Sequence, residues 1–348
     1  MRVVTYNVLT QPYSRFTEPE FYPDPDILHD ESMRKQRLLA KLEPHFVESS
    51  VIALQELPTD WYCWLRVWLR SEKDYDIVFH PYGTSRDGYW GVAIAVPLSK
   101  YSIEQVSEFC VATESNMINP PTQSSWTIAD FFHRCLWLLS VFVYLTSFSL
   151  LRWKPEAPTD PYSTYRVAQR RWNFVVAVKL RPNDCNGGPF WVSTYHMPCA
   201  FWAPYVMFRH ASSYVQMVQD LAGDTPFVIT GDFNIKPVDG VYRMLASCSW
   251  DEFEDVAHCQ PSEDPWTPHF PTPIRSACVV ANGSEPAWTN NCHHPRSNTR
   301  FKETLDYIWI SPEWHVAEAG VDCPPGTEIC PNLNEPSDHV PVFAELLL

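Results

Sequence analysis

Several short apolar runs of this chain end directly in a polar or ionisable side chain, and this pattern limits how the chain can fold. The run 51–54 leads to Glu56, and the run 227–229 leads to Asp232. A carboxylate at the end of a buried strand is costly unless it meets a cation or a hydrogen-bonding partner. The pattern therefore predicts buried strands whose ends carry the chemistry of the protein.

Runs of helical periodicity interleave with these strand-like runs. Residues 33–47 and 205–221 place apolar side chains at helical spacing, whereas the strand-like runs are short and apolar on both faces. The strand-like runs are 3–8, 51–54, 77–79, 92–96, 174–180, 190–195, 227–230, 305–310 and 340–346. Strands of this kind are typical of sheets buried between layers. The sequence therefore predicts one α/β domain over residues 1–348.

The stretch from about 111 to 165 interrupts this alternation and becomes strongly apolar at 135–151. Such a run is at the lower length limit for crossing a bilayer, where roughly 17 residues are needed. The candidate catalytic residues lie on both sides of it, so a single span would put them on opposite faces of a membrane. We therefore expect an insertion that forms a packed helix, or a helix that lies on a membrane surface.

The charge and cysteine content restrict the partners and the compartment. A formal net charge of −15 excludes a broad basic surface for nucleic acid. Any nucleic-acid contact should then be local and built around bound cations, and a small phosphorylated metabolite fits the charge equally well. The 11 Cys include no Cys-x-x-Cys pair, and no signal peptide pattern opens the chain. Both observations favour an intracellular, cytoplasmic protein.

Five motifs carry residue types suited to metal-assisted hydrolysis. Glu56 can anchor Mg²⁺, which takes few carboxylate ligands and keeps water for the rest. Asp232 can take a proton from water, and the amide of Asn234 can donate to a phosphoryl oxygen. An aspartate such as Asp306 sets the tautomer of a histidine such as His339. The motifs are Tyr6-Asn7-Val8-Leu9, Ala53-Leu54-Gln55-Glu56-Leu57, Ser193-Thr194-Tyr195-His196-Met197, Thr230-Gly231-Asp232-Phe233-Asn234, and the pair Leu305-Asp306-Tyr307 with Ser337-Asp338-His339.

In this order and spacing, the motifs resemble the endonuclease/exonuclease/phosphatase superfamily. That superfamily includes deoxyribonuclease I, abasic-site endonucleases, sphingomyelinases, inositol polyphosphate 5-phosphatases and mRNA deadenylases. The resemblance covers residues 2 to about 346, with 111–165 as an insertion. It implies a four-layer α/β sandwich, in which two packed mixed β-sheets are flanked by helices and the active site lies at one edge of the sheets.

The resemblance also implies a metal site and an in-line displacement at phosphorus. It assigns Asn7, Glu56 and Asp338 to the metal, with Mg²⁺ as the expected ion and Mn²⁺ as a substitute. Such an ion neutralises charge that develops on the phosphate.

The same resemblance assigns the catalytic roles. Asp232 is expected to orient or deprotonate the attacking water. Asn234 and His196 are expected to donate hydrogen bonds to the phosphoryl oxygens. His339, paired with Asp306, is expected to complete the charge stabilisation.

Within the superfamily, the chain is most similar to the deadenylase, nocturnin and Angel group. The similarity lies in the opening Thr5-Tyr6-Asn7-Val8-Leu9, in Trp202-Ala203-Pro204, and in the stretch from Gly283 to Asn290. The group's base clamp of a proline and a phenylalanine maps to Pro204 and Phe301, with Trp288 as a further substrate-binding residue. The spacing from His196 to Trp202 is longer than is usual in the group. Candidate basic residues for the pocket are Arg166, Arg170, Arg171 and Lys236.

The expected activity is hydrolysis of a phosphate ester at an RNA 3′ end or in a nucleotide. The alternative is a membrane-associated lipid phosphodiesterase of the sphingomyelinase type, which would contact a membrane surface through 135–151. The acidic net charge opposes binding to anionic lipid. A non-catalytic protein that kept this fold would have little reason to retain so many costly polar groups at strand ends.

Overall fold

A computed structural model describes residues 1–11, 21–83, 89–114, 167–184, 187–247, 272–294, 299–323 and 329–348. Its strands are β1 Arg2–Asn7, β2 Val51–Pro58, β3 Tyr75–Pro81, β4 Trp90–Pro97, β5 Tyr101–Cys110, β6 Phe174–Pro182, β7 Phe190–His196, β8 Phe227–Asp232, β9 Arg275–Ser276, β10 Asn290–His294, β11 Thr299–Glu303, β12 Asp306–Ile310, β13 His315–Val321 and β14 Val342–Leu347. Its helices are α1 Asp26–His29, α2 Glu31–Val47, α3 Thr59–Trp68, α4 Val111–Glu114, α5 Pro204–Ala222, α6 Gly240–Ser247 and α7 Ala277–Asn282, and a π-helical turn Leu69–Lys73 follows α3.

The strands form two six-stranded mixed sheets and one hairpin. The first sheet has the order β13-β14-β1-β2-β4-β3, and the second has the order β5-β6-β7-β8-β12-β9. In each sheet one central pair is parallel, β1 with β2 and β7 with β8, and the other pairs are antiparallel. Strands β10 and β11 form the separate hairpin.

Three apolar clusters hold these layers together. Side chains such as Val3 of β1 and Val192 of β7 fill the space between the two sheets. Leu42 of α2 packs on the outer face of the first sheet, and Val215 of α5 packs on the outer face of the second. Full burial of such a side chain contributes about 1.5–3 kcal/mol. The structure is therefore the four-layer sandwich that the sequence predicts.

The predicted elements are present, and their ends shift for local reasons. Helix α2 begins at Glu31 because the Asp30 side chain accepts a hydrogen bond from the Met33 backbone N–H at 2.9 Å. The last strand begins at Val342 rather than at Val340, whose N–H donates to the carbonyl of Thr289. Hydrogen bonds from side chains and loops thus set the ends of helices and strands, which hydrophobic periodicity alone predicts only approximately.

The predicted insertion lies mostly outside the described residues. Its first four residues form α4, and residues 115–166, including the apolar run 135–151, are not described. The expectation of a packed or surface-lying helix there stays a prediction. Within the described ranges, no helix has both the length and the apolarity to cross a membrane.

A buried polar link joins the two sheets behind the ends of their parallel strands. The amide of Gln55 donates to Thr5 Oγ1 at 3.0 Å in the first sheet and to Thr194 Oγ1 at 2.8 Å in the second. All three side chains are fully buried. Because buried polar groups are costly unless they are hydrogen bonded, this link requires one particular stacking of the sheets.

A buried histidine anchors α5 to the second sheet. His210 lies between the Ala168 carbonyl, 3.0 Å from Nε2, and the Tyr195 hydroxyl, 2.8 Å from Nδ1. A carbonyl oxygen only accepts, so Nε2 carries the proton and Nδ1 accepts from the hydroxyl. Burial lowers the pKa of His210 to about 4, which keeps the imidazole neutral.

Candidate active site

The polar residues at the strand ends meet at one edge of the sandwich. Asn7 ends β1, and His196 and Asp232 end the parallel neighbours β7 and β8. Asp306 begins β12, where it lies opposite Asp232 in the antiparallel register. Glu56 lies near the end of β2 beside β1. Both sheets therefore contribute to one site.

The backbone near Glu56 is irregular. The pairing of β2 with β4 shifts register between Leu54 and Leu57, and Glu56 itself has φ of 57°. A register shift of this kind re-aims a side chain at the rim of a sheet. A positive φ in a residue other than glycine costs of order 1–3 kcal/mol and is found mainly where surrounding structure imposes it. The strain here accompanies a buried carboxylate that lines the cleft.

Gly231 allows the closest approach of β7 and β8. Its φ is +143°, and a Cβ at this position would lie 1.9 Å from the carbonyl oxygen of Tyr195. A side chain cannot be accommodated there without a shift of the backbone. The absence of a side chain thus lets Asp232 stand directly beside His196.

Asn7 links carboxylates from the two sheets. Its Nδ2 donates to Glu56 Oε1 at 3.1 Å and to Asp232 Oδ2 at 3.0 Å. Its Oδ1 accepts from the Leu9 N–H at 3.0 Å, and Glu56 Oε2 accepts from the Thr10 N–H at 2.9 Å. Every polar atom of the Asn7 amide is therefore engaged, which fixes Glu56 and Asp232 relative to each other.

Asp306 orients His339, and a threonine orients Asp306. His339 Nδ1 donates to Asp306 Oδ2 at 2.7 Å, and Thr289 Oγ1 donates to the same oxygen at 2.6 Å. Thr289 Oγ1 also accepts from the backbone N–H groups of Leu305 at 2.9 Å and Asp306 at 3.1 Å. The imidazole is thereby fixed with its Nε2 3.7 Å from Asp232 Oδ2.

His196 and Asn234 also lie beside Asp232. His196 Nε2 is 3.6 Å from Asp232 Oδ2 and 3.9 Å from Glu56 Oε1. The Asn234 backbone N–H donates to Asp232 Oδ1 at 2.9 Å, and its side-chain Nδ2 donates to the Met197 carbonyl at 2.9 Å. An amide has two N–H groups, so Asn234 keeps one further donor.

Asp338 lies on a loop that is tied to β1 and to the hairpin. Ser337 Oγ donates to the Asn7 carbonyl at 2.6 Å, and Asn290 Nδ2 donates to Asp338 Oδ2 at 3.2 Å. Asp338 is half-buried and lines the same cleft as Glu56.

Arg34 fixes two of these loops from beneath. Its guanidinium is fully buried and donates to the carbonyls of Val8 at 3.1 Å, Pro336 at 3.3 Å and Leu9. Burial lowers the pKa of Arg34 to about 10, which still leaves the side chain charged at neutral pH. One cation thus binds the loop that follows Asn7 and the loop that precedes Asp338.

The site carries a surplus of negative charge. Burial, followed by the charge of Asp338, raises the pKa of Glu56, and burial raises the pKa of Asp232. Burial lowers the pKa of His196. Burial also disfavours the charged form of His339, but Asp306, Asp338 and Asp232 outweigh it and raise the pKa of this imidazole well above its usual value. The site has four carboxylates, those of Glu56, Asp232, Asp306 and Asp338. Among the described residues, no lysine or arginine forms a salt bridge with any of them.

These donors fit a hard divalent cation. Ligand atoms of Asp232, Asp306 and His339 lie within 4.8 Å of one another, the one such group within the described part of the chain. The predicted ligands Glu56 and Asp338 face the same cleft, and the charge of Asp338 contributes, after burial, to the raised pKa of Glu56. Carboxylate oxygens are the ligands that Mg²⁺ and Mn²⁺ prefer.

A cleft of ≈ 1090 Å³ lies above these residues. Its floor contains Glu56, His196, Asp232, Asn234, Asp338 and His339. Such a volume suits a ligand the size of one or two nucleotides rather than a solvated ion alone.

Two of the three predicted substrate-binding residues lie elsewhere. Phe301 lines the cleft, whereas Pro204 and Trp288 are not among its lining residues. Pro204 is the first residue of α5, where its fixed φ favours the helix start, and it faces solvent. Trp288 packs against Lys302, whose Nζ is 4.9 Å from the ring centroid. The longer spacing after His196 displaces the proline from the cleft.

Of the predicted basic residues, Arg170, Arg171 and Lys236 line the cleft, and Arg166 lies outside the described residues. Sequence reasoning assigned no role to Thr289, Asn290 or Arg34. The first two stand in a motif shortly before Asp306, and the β10–β11 hairpin returns the chain to them. Recognition of this hairpin in the sequence would have predicted that Thr289 and Asn290 lie in the site.

Comparison with known proteins agrees with this geometry. The sequence profile of the Endonuclease/Exonuclease/phosphatase family matches residues 4–339. Carbon catabolite repressor protein 4 homolog 4 of Arabidopsis thaliana is 32% identical over 150 residues, which are 41% of this chain and 32% of that protein. Nocturnin of Drosophila melanogaster is 24% identical over 179 residues, which are 50% of this chain and 27% of that protein. The matched region is thus less than a third of the length of either relative.

The fold also matches a solved structure over almost its whole length. The structure of ANGEL2, a 2′,3′-cyclic phosphatase, in complex with adenosine-2′,3′-vanadate superposes with a TM-score of 0.66 at 17% identity. The superposition covers 99% of this chain and 95% of that chain. At this identity, the likeness establishes a shared fold.

Proposed function

The chain belongs to the endonuclease/exonuclease/phosphatase family, a family of hydrolytic phosphoesterases and nucleases, and from this premise we propose that it is a divalent-metal-dependent hydrolase of phosphate esters at RNA 3′ ends or in nucleotides. The observation that carries the proposal is the cluster of four carboxylates and two imidazoles at one sheet edge, with no lysine or arginine paired to the carboxylates among the described residues. The excess negative charge of such a cluster is offset by a bound cation.

Of the three predicted ligands, Glu56 and Asp338 would hold the ion through their carboxylates. The Asn7 amide, which donates to Glu56 and accepts from the Leu9 N–H, would orient Glu56 and is not proposed as a ligand. When bound, a divalent cation polarises the phosphate and neutralises the charge that develops in the transition state. Asn7 and Thr10 take only one lone pair from each Glu56 oxygen, so both oxygens can still coordinate.

Asp232 stands where a base is required. It lies between His196 and His339 and accepts hydrogen bonds from Asn7 and from the Asn234 backbone. In the proposed reaction, Asp232 orients the attacking water and accepts one of its protons as the new phosphorus–oxygen bond forms. The ester phosphorus–oxygen bond on the opposite side of the phosphorus breaks, and the leaving alkoxide takes a proton from solvent. The Asp232 side chain is held by these contacts before substrate arrives, which lowers the cost of positioning the water.

The two imidazoles would stabilise the phosphoryl oxygens. His339 keeps Nδ1 on Asp306, so its Nε2–H points into the cleft. His196 Nε2 faces the same space, and the second N–H of the Asn234 amide remains available. Loss of one donor of this type typically lowers kcat by about 10²–10³.

The relatives suggest the substrate class. ANGEL2 is described as a 2′,3′-cyclic phosphatase, and its structure holds an adenosine vanadate. An RNA 3′ end or a nucleotide presents the same phosphate chemistry, and Phe301 supplies an aromatic wall for its base. The second candidate is a lipid phosphodiesterase, which is favoured in the sequence by the apolar run 135–151 and in the structure by exposed aromatic side chains at the mouth of the cleft.

The test is Mg²⁺-dependent hydrolysis of a substrate panel. The panel contains 3′-labelled oligo(A), oligo(U), an RNA with a 2′,3′-cyclic phosphate end, NADPH and sphingomyelin vesicles. Wild type is compared with Glu56→Gln and Asp232→Asn, which keep side-chain shape and remove charge. Glu72→Gln and Asp224→Asn are the matched controls, because both side chains are exposed and neither lines the cleft.

We expect hydrolysis of an RNA or nucleotide substrate that falls at least about 10²-fold in the two site variants and stays at wild-type level in the controls. Cleavage of sphingomyelin alone would replace the proposal by the lipid reading. Hydrolysis that is insensitive to both Glu56→Gln and Asp232→Asn would contradict the assignment of the site.

A further inference from the structure

Three aromatic side chains beside the cleft face solvent. Trp172 is 64% exposed, Phe201 68% and Trp202 61%. Large aromatic side chains that cluster in the open beside a concave site indicate a binding surface. We call Arg170, Arg171, Trp172, Phe201 and Trp202 together the aromatic rim; all except Trp202, which lies behind Arg171, line the cleft.

The aromatic rim is attached to the catalytic strand. Asn173 Nδ2 donates to the His196 carbonyl at 2.7 Å, and β6 begins at the next residue, directly beside the end of β7. A chain extends at most about 3.6 Å per residue, so Arg171, three residues before β6, lies no more than roughly 11 Å from the start of that strand. The rim is therefore within reach of the nucleotide next to one bound at the catalytic floor.

The basic residues of the cleft contrast with the charge of the whole chain. Arg170, Arg171 and Lys236 line the cleft, although the net charge of the protein is −15. Within the ranges that the structure describes, none of the three forms a salt bridge with a carboxylate. Asp239, which also lines the cleft, accepts a hydrogen bond from the Lys236 backbone N–H at 2.8 Å. The basic groups are thus left to an external anion.

Cation and ring are also combined within the rim. The Arg171 guanidinium lies 5.7 Å from the centroid of the Trp202 ring, and Phe201 meets that ring edge-on at 5.4 Å between centroids. Sites for single-stranded nucleic acid combine cations that follow the backbone with aromatic faces that stack on bases. A bilayer would have to desolvate the Arg171 guanidinium that lies over one face of the Trp202 ring, whereas a nucleic acid would offer this cation a phosphate.

We propose that the aromatic rim is a second subsite for single-stranded nucleic acid. It holds the nucleotide adjacent to the one whose phosphate lies over the catalytic floor. The base of that nucleotide stacks on Trp172, and its phosphate contacts Arg170 and Arg171. The inference rests on the proposed function and narrows the substrate class to oligonucleotides.

The test measures binding separately from catalysis. A fluorescent octanucleotide and a fluorescent mononucleotide are titrated by anisotropy into Asp232→Asn protein, alone and combined with Trp172→Ala, Trp172→Phe or Arg170→Gln. Trp64→Ala and Arg66→Gln are the matched controls, since both side chains are exposed on α3 and neither lines the cleft. In parallel, kcat/KM is measured in Asp232-containing protein for a dinucleotide and an octanucleotide with the same 3′ end.

We expect Trp172→Ala to weaken octanucleotide binding about tenfold to a hundredfold and to lower the octanucleotide-to-mononucleotide affinity ratio by the same factor, with Trp172→Phe recovering most of the loss. Arg170→Gln should reduce the slope of log Kd against log salt by about 0.7, the value for one phosphate of a single strand.

Octanucleotide binding that is equal in Asp232→Asn protein with and without Trp172→Ala would overturn the inference, and so would a Trp172→Ala defect seen only in flotation with phosphatidylcholine–sphingomyelin vesicles. Hydrolysis that depends on Glu56 but not on Trp172 would remove the subsite and keep the proposed function. Octanucleotide binding that depends on Trp172 without any hydrolysis would keep the subsite and remove the proposed function.

Discussion

Replacement of Thr289 by valine would remove the hydroxyl group that orients Asp306 and would leave Asp306 itself in place. It therefore tests whether the orientation of Asp306 affects His339. Valine has nearly the shape of threonine, so packing is preserved. The hydroxyl that is removed donates to Asp306 Oδ2 at 2.6 Å and accepts two backbone N–H groups at 2.9 and 3.1 Å. Thr289 is fully buried, so water cannot replace these bonds.

The magnitude follows from these three bonds. A hydrogen bond to a charged group is worth about 1.5–3 kcal/mol, and each buried donor left unsatisfied costs about 1–3 kcal/mol. Allowing for relaxation, we expect Thr289→Val to lower the free energy of unfolding by about 3 kcal/mol. Asp306 would lose one of the two contacts on Oδ2, and variants of such supporting residues typically lose about 10–100-fold in activity.

The assay combines urea denaturation with kcat and KM on the substrate that wild type cleaves fastest. Thr289→Ser is the control, because it keeps the hydroxyl and removes only a methyl group, a change worth about 1 kcal/mol. We expect kcat to fall in the valine variant with little change in KM, and the serine variant to stay near wild type. Equal kcat values for the two variants would refute the reasoning that Thr289 acts through Asp306 on His339.

Three other substitutions test separate parts of the structure. Gly231→Ala should lower the free energy of unfolding by about 3 kcal/mol or more, because its Cβ would lie 1.9 Å from the Tyr195 carbonyl oxygen, whereas Gly188→Ala, in open space, should leave Tm unchanged. His210→Gln should flatten the pH dependence of the unfolding free energy. In wild type, the pKa of His210 is about 4 in the folded state and about 6.5 in the unfolded state, so the unfolded chain binds more protons between these pH values. The wild-type unfolding free energy should therefore fall by about 3 kcal/mol as pH falls from about 6.5 to about 4. A wild-type unfolding free energy that is flat over this range would contradict that account. Arg34→Met should lower stability by about 3–5 kcal/mol and reduce kcat, since it leaves three loop carbonyls without a donor; a stable variant with normal kcat would show that the two loops hold their positions alone.

The layers of the fold were predictable because their signal is local. Apolar periodicity placed α2 and α5 to within two residues, and the short apolar runs gave most of the strands. The meeting of the polar residues at one sheet edge was predictable from the strand ends, since Asn7, Glu56 and Asp232 each lie at or near the end of a strand. The sheet defines the neighbours of a motif at a strand end, so the order of the motifs along the sequence is enough to predict which of them meet.

Other parts of the site depend on chain segments that are distant in sequence. Arg34 reaches Pro336 across the loop that follows β1, and Thr289 reaches Asp306 through the hairpin. No periodicity marks such residues, because their partners are backbone atoms of other loops. Pro204 is not among the residues that line the cleft for a related reason, since the length of the turn between His196 and α5 decides where that proline lies.

The polar link through Gln55 has a consequence for how the sandwich assembles. An apolar interface between sheets is tolerant of slippage, since one valine contact resembles the next. A slip by one residue would detach the Gln55 amide from Thr5 or Thr194 and bury those groups unpaired. The link therefore adds little net stability, but it discriminates against assemblies in which the two sheets are misaligned. Since Glu56 directly follows Gln55 and His196 lies two residues after Thr194, alignment of the sheets also brings the residues of the catalytic floor together.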